Sequence, residues 1–251
     1  MIFLPVTEST NDVATTLATA GNHEGAVVLA ETQTAGRGRR GHTWLSPPGS
    51  GLYVSVILTP GRARSDRDRA AMLMTLAAGV ALAEAIETAT ALRVDLKWPN
   101  DLYVARRKLG GILAEGIYSA SEPRSGGVDT VILGYGINVG AVAFPPELAS
   151  RATSLEIELG RGIDRAGLFA ETLAALARRY EDLLDGRFDA ILDAWRTRAP
   201  SAHGSRVTWT TATTPEGAVS GTTEGIDERG ALLVRVGDQI EHIVAGELTW
   251  L

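Results

Sequence analysis

The chain has 251 residues, of which 45% are hydrophobic and 22% charged, and its formal net charge is −6. This length fits one globular domain of about 200 residues with a small appendage. An acidic chain argues against general nucleic-acid binding, which usually needs a basic face. The absence of cysteine excludes disulfides, thiolate metal sites and thiol nucleophiles, and it fits the cytoplasmic location that we expect.

Apolar runs and helix-capping residues predict alternating helices and strands before residue 140. The predicted elements are a helix over 9–20, strands over 26–30 and 52–58, a buried helix over 67–88, and strands over 94–98, 108–118 and 128–139. The most apolar stretch, 70–83, is shorter than the roughly 20 residues of a membrane span. It therefore favours a buried helix.

The C-terminal third changes character near residue 200. Two amphipathic helices are predicted from apolar faces that comprise Phe169, Leu173, Leu176, Tyr180 and Leu183, and then Phe188, Ile191, Leu192 and Trp195. Residues 198–205 are typical of a linker. Beyond them, turn signals at 215–217, 227–230 and 237–238 predict a small β-barrel. The predicted domains are 1–200 and 204–251.

A glycine-rich loop with three arginines, Gly36–Gly41, is followed by Trp44. Glycine lets the backbone approach a ligand closely, and arginine forks fit phosphate and carboxylate oxygens. A solvated surface loop or an RNA-binding arginine-glycine tract has the same composition. The predicted strands on both sides favour a loop that is held by a folded sheet and binds a small anion.

Three further segments carry groups suited to ligand binding. Ser9–Asn11 places short polar side chains at a helix start, although an ordinary helix cap explains them too. Lys97–Leu102 and Lys108–Leu113 hold two lysines, an Asn-Asp pair and paired glycines, although Asn-Asp after proline is also a turn signal. Gly134–Asn138 has alternating glycines in an apolar strand, which indicates a ligand or a tightly packed backbone.

These segments supply cations and backbone groups but no nucleophile. The four histidines show no zinc-ligand spacing, and the chain has neither a Gly-x-Ser-x-Gly elbow nor a Walker phosphate loop. Such groups can position the reactants of a phosphoryl transfer and stabilise the charge that develops on phosphate oxygens.

Taken together, the motifs resemble those of the biotin protein ligases. The family pattern is matched, in order, by Ser9–Asn11, Gln33–Trp44, Lys97–Asp101, Lys108–Glu115 and Gly134–Asn138. Each motif is weak alone, but five in order are specific. The resemblance implies an α+β fold, in which a mixed β-sheet flanked by helices forms a catalytic domain like that of class II synthetases. It also implies a small C-terminal SH3-like β-barrel.

The resemblance further implies a two-step reaction with Mg²⁺. Biotin is activated with ATP as biotinyl-5′-AMP and is then transferred to a lysine of a biotin carboxyl carrier domain of a biotin-dependent carboxylase, such as acetyl-CoA carboxylase. We expect no nucleic-acid or membrane partner, and a monomer or weak homodimer. Because only eight residues precede Ser9, we expect a monofunctional ligase without a DNA-binding domain.

Site residues follow from matching motif positions. The catalytic residues are Lys108, Arg39 and Asp101. The biotin-binding residues are Ser9, Thr10, Asn11, Gln33, Arg37, Gly38, Arg39, Lys108, Gly111, Gly134 and Gly136. The ATP- and adenylate-binding residues are Arg37, Arg39, Arg40, Trp44, Asn100, Lys108 and Asn138. The Mg²⁺ ligands are not assigned.

By the same matching, Lys108 bridges the biotin carbonyl oxygen and the α-phosphate. Trp44 covers the adenine side, and Asp101 positions the incoming lysine, accepts its proton or contacts the metal.

Two departures from the family pattern stand out. His42 replaces the arginine or lysine that many members have, so the last cation of the loop depends on pH. The stretch from Asp101 to Lys108 is slightly long, and Lys108 is preferred over Arg107 because Leu-Gly-Gly-Ile-Leu-Ala-Glu follows it directly.

Two other functions fit part of the pattern. A lipoate ligase would share the fold and the adenylate mechanism, but it needs no ureido-binding cluster such as Ser9, Thr10 and Gln33. A nucleic-acid-binding module would use the arginine loop for phosphates, but the acidic chain and a barrel without a basic-aromatic stripe argue against it.

Overall fold

The computed structural model describes residues 1–21, 23–117, 128–211, 214–246 and 248–251, and for 210, 211 and 214–218 it describes the backbone alone. The strands are β1 (Ile2–Leu4), β2 (Val27–Ala30), β3 (Gly51–Leu58), β4 (Asp95–Lys97), β5 (Asp101–Val104), β6 (Arg107–Ile117), β7 (Thr130–Asn138), β8 (His203–Thr211), β9 (Thr214–Ile226), β10 (Leu232–Val236), β11 (Gln239–Ile243) and β12 (Leu248–Trp250). The helices are α1 (Thr10–Ala20), α2 (Arg67–Thr90), α3 (Pro146–Ala149), α4 (Leu155–Leu159), α5 (Arg165–Leu184) and α6 (Phe188–Arg198).

The first seven strands form one sheet in the order β1-β2-β3-β7-β6-β5-β4. The β1–β2 pair is parallel and the other neighbouring pairs are antiparallel, which confirms the predicted mixed sheet. The neighbours β2 and β3 hold the arginine loop between them. This loop therefore belongs to the folded sheet, as predicted.

Helices cover the two faces of this sheet unequally. On one face, α2 and α5 pack over the main core, which includes Val54, Leu73, Leu82, Ile86, Leu133 and Leu176. On the other face, α1 covers a smaller cluster that contains Ala14, Val28, Ile57 and Ile132. Alternation along β3 and β7 divides their side chains between the two faces. The second face therefore leaves room for a cavity beside the N-terminus of α1.

The long helix α2 is the one that sequence analysis expects to be buried. By length and composition alone this helix could cross a membrane, yet 72% of its most apolar 18-residue stretch is buried inside the molecule. Burial of this extent is typical of a core helix. The prediction of a buried helix is confirmed, with the helix extending to Thr90.

Sequence analysis missed two short strands of this sheet, β1 and β5. Asp101, interpreted as part of a turn signal, begins β5. The hairpin to β6 turns at Ala105 and Arg106, whose φ angles are 46° and 71°. Two-residue turns of this kind favour Asn-Gly, so Ala-Arg offers no turn signal. The last predicted residue of β6, Tyr118, lies outside the described residues.

The five remaining strands form an antiparallel sheet in the order β11-β10-β9-β8-β12. The turns predicted at 227–230 and 237–238 are confirmed, because they join β9 to β10 and β10 to β11. The turn predicted at 215–217 is wrong, because these residues lie within β9. Proline is tolerated near the first residue of a strand, where no ladder hydrogen bond is lost.

This second sheet contacts the segment that follows β4 and the start of helix α2. Trp98 Nε1 donates to the Gly230 carbonyl oxygen at 3.0 Å, and Arg69 Nε donates to the Glu228 carbonyl oxygen at 2.8 Å. Apolar side chains of both sheets share one core. The change from helix to strand falls between Arg198 and His203, although the domain bounds of 1–200 and 204–251 stay a prediction.

Candidate active site

A cavity of ≈ 490 Å³ lies on the second face of the large sheet. Its lining comes from the start of α1, the β2–β3 loop, strands β4 to β7, the segment after β7 and strand β12. Every residue that the sequence analysis assigns to the site lines this cavity. Convergence of polar groups from distant segments on one cavity is typical of a ligand site.

One end of the cavity, here called the polar end, has uncharged side chains: Ser9, Thr10, Asn11 and Gln33 line it, and Ser46 and Ser55 bond to them from behind. Thr10 donates from both N and Oγ1 to Gln33 Oε1, at 2.9 and 3.1 Å. Gln33 Nε2 in turn donates to Ser46 Oγ at 2.9 Å. The start of α1 and the β2–β3 loop are thereby locked together.

Ser55 supports the polar end from within β3 and is fully buried. Its Oγ lies 2.5 Å from Asn11 Oδ1 and 2.8 Å from Thr10 Oγ1. Asn11 Nδ2 then donates to Glu115 Oε2 at 2.6 Å. Buried polar groups that are mutually hydrogen-bonded form a rigid network, so the polar end is organised before any ligand arrives.

The glycines of β7 allow side chains to lie directly on the strand. A Cβ atom at Gly134 would be 2.2 Å from Asn11 Oδ1, and one at Gly136 would be 2.4 Å from Trp44 Nε1. Neither position tolerates a larger residue without displacement of its neighbour. Trp44 Nε1 is buried and has no hydrogen-bond partner among the described residues.

The arginine loop forms a short turn structure, here called the basic hairpin (residues 36–44). Gly38 N donates to the His42 carbonyl oxygen at 2.6 Å. Arg40 stands at the tip with φ 55° and ψ 31°, in the left-handed region. Arg40 is exposed, whereas its neighbour Arg39 is partly buried against the cavity. The hairpin thus directs consecutive arginines to different surroundings.

Arg37 ties the basic hairpin to two other elements. Its guanidinium lies 2.6 Å from Asp12 Oδ1 on α1 and 3.0 Å from Glu115 Oε2 on β6. Two carboxylates therefore already neutralise this cation. The assignment of Arg37 to phosphate binding stays a prediction. Its observed ion pairs fix the basic hairpin over the cavity.

Arg39 reaches the centre of the cavity. Its NH1 donates to Asn100 Oδ1 at 3.3 Å, and Asn100 Nδ2 donates to the Ile112 carbonyl oxygen at 2.8 Å. Burial lowers the pKa of Arg39, while the nearby Asp101 opposes that shift. Arginine nevertheless stays protonated at neutral pH, so the centre of the cavity carries a fixed positive charge.

Lys108 joins Arg39 at this centre. Its Nζ lies 2.7 Å from Asp101 Oδ1 and 5.7 Å from the ring centroid of Trp44. The register between β5 and β6 shifts between Leu102 and Tyr103. Bulges of this kind often re-aim a side chain next to an active site. Here the shift brings Lys108 to the cavity side together with Gly111.

The neighbouring Arg107 takes a different direction. It pairs with Glu158 at 2.7 Å and does not line the cavity. The choice of Lys108 over Arg107 from the motif therefore agrees with the geometry.

At the β4 side of the cavity, Lys97 lies between two aromatic rings. Its Nζ is 4.9 Å from the ring centroid of Tyr103 and 5.1 Å from that of Trp250, the latter on β12 of the small sheet. Burial lowers the pKa of Lys97, and the neighbouring cations Lys108, Arg106 and Arg151 lower it further against the opposing effect of Asp101. Burial also raises the pKa of Tyr103 to about 12.

The cavity is strongly positive although the chain is acidic. One acidic side chain among the described residues, Asp101, lines it. The basic side chains that line it are Arg37, Arg39, Arg40, Lys97, Lys108 and Arg151. Arg39, Lys97, Lys108 and Arg151 are here called the cationic end. An excess of fixed positive charge at close range favours a polyanionic ligand.

Sequence analysis missed several residues that line this cavity or support its lining. Ser55 left a detectable signal, because it is the one hydroxyl in the apolar run between Val54 and Leu58. Glu115 belonged to a recognised motif but was given no role. Arg151 and Trp250 left no local signal, because their position follows from chain segments that only the fold brings together.

A folded sheet with a ligand cavity lined by cations and backbone glycines defines a class of enzyme that binds anionic substrates. Comparison with known proteins specifies it further. Residues 3–138 match the Biotin/lipoate A/B protein ligase family, and residues 203–248 match the Biotin protein ligase C terminal domain. The chain therefore belongs to the biotin protein ligase family, whose members are enzymes.

Individual relatives agree along nearly the whole chain. The bifunctional ligase/repressor BirA of Bacillus spizizenii is 36% identical over 250 residues, which is 99% of this chain and 73% of that protein. The biotin–[acetyl-CoA-carboxylase] ligase of Paracoccus denitrificans is 36% identical over 235 residues, 91% of each chain. The biotin protein ligase of Aquifex aeolicus, solved with biotin and ATP, has a TM-score of 0.79 at 29% identity and covers 100% of this chain and 97% of that one.

Proposed function

We propose that this protein activates biotin with ATP as biotinyl-5′-AMP and transfers the biotinyl group to a lysine of a biotin carboxyl carrier domain. The observation that carries the proposal is a single cavity that has a neutral polar end and a cationic end, the latter including Lys108. The polar end suits the uncharged ureido ring of biotin. The cationic end suits phosphate groups and the biotin carboxylate.

In the first step, a carboxylate oxygen of biotin forms a bond to the α-phosphorus of ATP. The bond from that phosphorus to the bridging oxygen breaks, and pyrophosphate leaves with the electron pair. Two anions must approach each other, so fixed cations lower the barrier by stabilising charge on the phosphoryl oxygens. Lys108 and Arg39 are the cations at the centre of the cavity and take this role.

In the second step, the neutral amine of the acceptor lysine attacks the carbonyl carbon of the mixed anhydride. The carbon–oxygen bond to the phosphate breaks, AMP leaves, and the amine nitrogen gives up a proton. Lys108 stabilises the carbonyl oxygen as it gains charge. Asp101 holds Lys108 at 2.7 Å and is the carboxylate nearest to accept that proton.

Mg²⁺ belongs to the proposal as an ion that accompanies ATP. No group of three or more potential ligand side chains occurs among the described residues. Mg²⁺ usually binds one or two carboxylates together with substrate phosphates, so Asp101 fits as a single protein contact. When bound, the ion would neutralise charge on phosphate oxygens. A cytoplasmic location and a monomer or weak homodimer complete the proposal.

Calorimetric titration with biotin and with lipoate, each with and without ATP and Mg²⁺, tests this function. We expect tight binding of biotin, and pyrophosphate release that requires both biotin and ATP. Binding of lipoate in its place would keep the mechanism but replace the substrate. Binding of neither acid would contradict the proposal, and strongly salt-dependent binding to DNA or RNA would then favour a nucleic-acid module.

A further inference from the structure

We infer that the carboxylates of Asp12 and Glu115, here called the carboxylate pair, couple occupation of the polar end by biotin to closure of the basic hairpin over the nucleotide. This inference rests on the proposed function and concerns two residues to which the motif comparison assigned no role. Neither side chain lines the cavity. Both are therefore positioning residues, which act through Asn11 and Arg37.

The carboxylate pair belongs to a ring of polar contacts that joins three elements. Glu115 on β6 accepts through one oxygen from Asn11 Nδ2 at 2.6 Å and from Arg37 NH2 at 3.0 Å. Arg37 NH1 lies 2.6 Å from Asp12 Oδ1. Asn11 and Asp12 are consecutive residues in the first turn of α1, so the ring closes on that helix. The start of α1, β6 and the basic hairpin are thereby held together.

Asn11 is the member of this ring that belongs to the polar end. It is 4% exposed, and a Cβ atom at Gly134 would be 2.2 Å from its Oδ1. Ser55 Oγ donates to the same oxygen at 2.5 Å, so the amide directs its oxygen to Ser55 and its N–H groups to Glu115. A ligand held beside Asn11 restricts this side chain and fixes the donor that Glu115 binds.

Arg37 is the member of the ring that belongs to the basic hairpin. It forms an antiparallel bridge with Thr43, and Trp44 N donates to the Gly36 carbonyl oxygen at 2.8 Å. Arg39, two residues further on, reaches the centre of the cavity. Contacts that fix the Arg37 side chain therefore fix both sides of the hairpin, together with the arginine proposed to hold the nucleotide.

The exposure of these charges indicates that the ring serves position more than stability. The side chains of Arg37, Asp12 and Glu115 are 42%, 49% and 38% exposed, and exposed ion pairs contribute little to the free energy of unfolding. Contacts of this strength can break and re-form as a hairpin opens and closes. They suit a coupling at the lower end of the usual range, about fivefold in affinity.

A direct electrostatic effect of the carboxylate pair would have the opposite sign. Negative charges near a cavity that binds polyanions oppose that binding. Loss of one such charge would therefore strengthen nucleotide binding, if charge alone mattered. Loss of a positioning contact should instead weaken nucleotide binding when biotin is present, so the sign of the effect separates the two roles.

The experiment uses the full chain with the variants Glu115→Gln and Asp12→Asn, which keep the size of each side chain. In Glu115→Gln an amide N–H replaces an oxygen that faces Arg37, so two donors oppose each other. Asp12→Asn keeps an oxygen acceptor for Arg37. Glu181→Gln is the matched control, because it removes one negative charge from an exposed residue of α5 that does not line the cavity.

Calorimetry measures the affinity for α,β-methylene-ATP with and without saturating biotin. In this analogue carbon replaces the bridging oxygen, so pyrophosphate cannot leave. The ratio of the two affinities is the coupling factor, and linkage requires the same factor for biotin binding with and without the analogue. The rate of trypsin cleavage after Arg39 and Arg40 without ligand measures opening of the basic hairpin. Denaturant titration measures global stability.

For the wild type we expect a coupling factor of about fivefold or more. Glu115→Gln should lower this factor to within about twofold of one and should accelerate cleavage in the hairpin about threefold or more. Its biotin affinity without nucleotide should stay within about threefold of the wild type, and its denaturant midpoint should not change. Asp12→Asn should give a smaller effect of the same sign, and Glu181→Gln should match the wild type.

A wild-type coupling factor in Glu115→Gln would overturn the inference, and so would tighter binding of the analogue by this variant. If the wild type binds biotin and forms the adenylate but shows no coupling, the inference fails and the proposed function stands. If the wild type binds no biotin, yet Glu115→Gln accelerates cleavage in the hairpin, the proposed function fails. The hold of the carboxylate pair on the hairpin then stands.

Discussion

The two ends of the cavity differ in how their polar groups are satisfied. At the polar end, Thr10, Gln33 and Ser55 are hydrogen-bonded within the protein. At the cationic end, Lys97 and Arg151 have no acidic partner among the described residues. Lys108 has one, the carboxylate of Asp101. Neutral groups can satisfy one another and set a fixed shape, whereas like charges cannot. The polar end therefore selects its ligand, and the cationic end depends on substrate charge.

The largest expected effect comes from Lys108→Met, which removes a charge of the cationic end. We expect the rate of adenylate formation to fall by roughly 10²–10³-fold, the cost of losing one preorganised electrostatic contact, while biotin affinity changes less than threefold. Pre-steady-state formation of biotinyl-AMP measures the first quantity and calorimetry the second. Arg107→Met is the neighbouring control, since Arg107 pairs with Glu158 outside the cavity. Near-wild-type adenylation in Lys108→Met would contradict this role and show that another residue acts as the electrophile.

Arg39→Gly should loosen the hold on the adenylate. A charge-assisted hydrogen bond contributes about 1.5–3 kcal/mol, so the intermediate should dissociate roughly 10- to 100-fold faster. The released anhydride would then acylate lysines without selectivity, which mass spectrometry of an added bystander protein detects. If the variant forms adenylate at the normal rate and still labels only the carrier, Arg39 does not retain the intermediate.

Thr10→Val tests the polar end with little change in size. The substitution removes the hydroxyl shared by Gln33 and Ser55, which should cost about 1–2 kcal/mol and weaken biotin binding about 5- to 30-fold. Thr16→Val on the same helix is the control, because Thr16 is exposed and its hydroxyl donates to the Asp12 carbonyl oxygen, outside the cavity. Equal affinities of the two variants would show that the Thr10 hydroxyl does not shape the site.

The smallest expected effect concerns the segment that leads from the basic hairpin into β3. Glu31 binds Arg165 and the Gly49 amide, and these contacts lower its pKa. A lowered folded-state pKa means that the stabilisation is complete above the ordinary carboxyl pKa of about 4.3. It is lost as the pH falls through the lowered value.

We therefore expect Glu31→Gln to reduce the free energy of unfolding by about 1 kcal/mol or less at pH 7, since the pair is partly solvated. Denaturant titration of both proteins should show this difference shrinking at pH values below the carboxyl range. A difference that persists at low pH would assign the stabilisation to packing.

Long apolar segments of the fold were predictable, and short elements were not. The helix α2 and the strands β3 and β7 carry enough periodic apolar sequence to be recognised, because burial alone determines them. β5 is short and follows a cis peptide between Trp98 and Pro99. Its hairpin also turns at Ala105 and Arg106 without glycine or asparagine. Such an element is specified by its neighbours in the sheet, which a local pattern does not contain.

The same distinction holds for the site. Motif matching identified Lys108 and Gln33, whose neighbours in sequence carry the pattern. It gave no role to Lys97, although Lys97 stands in a matched motif, because one of the two rings beside it, Trp250, is more than 150 residues away in the chain. Arg37 shows the opposite case: its motif suggested a phosphate ligand, whereas its observed partners are Asp12 and Glu115.

The most direct test of the division between the two ends is the rate of biotinyl-AMP formation, measured by rapid quench over a wide range of biotin concentrations. Thr10→Val should reach the wild-type rate once biotin is saturating, because its defect lies in binding. Lys108→Met should stay slow at every concentration, because its defect lies in the chemical step. A saturating rate that is reduced equally in both variants would contradict the account, since the two ends would then act as one unit.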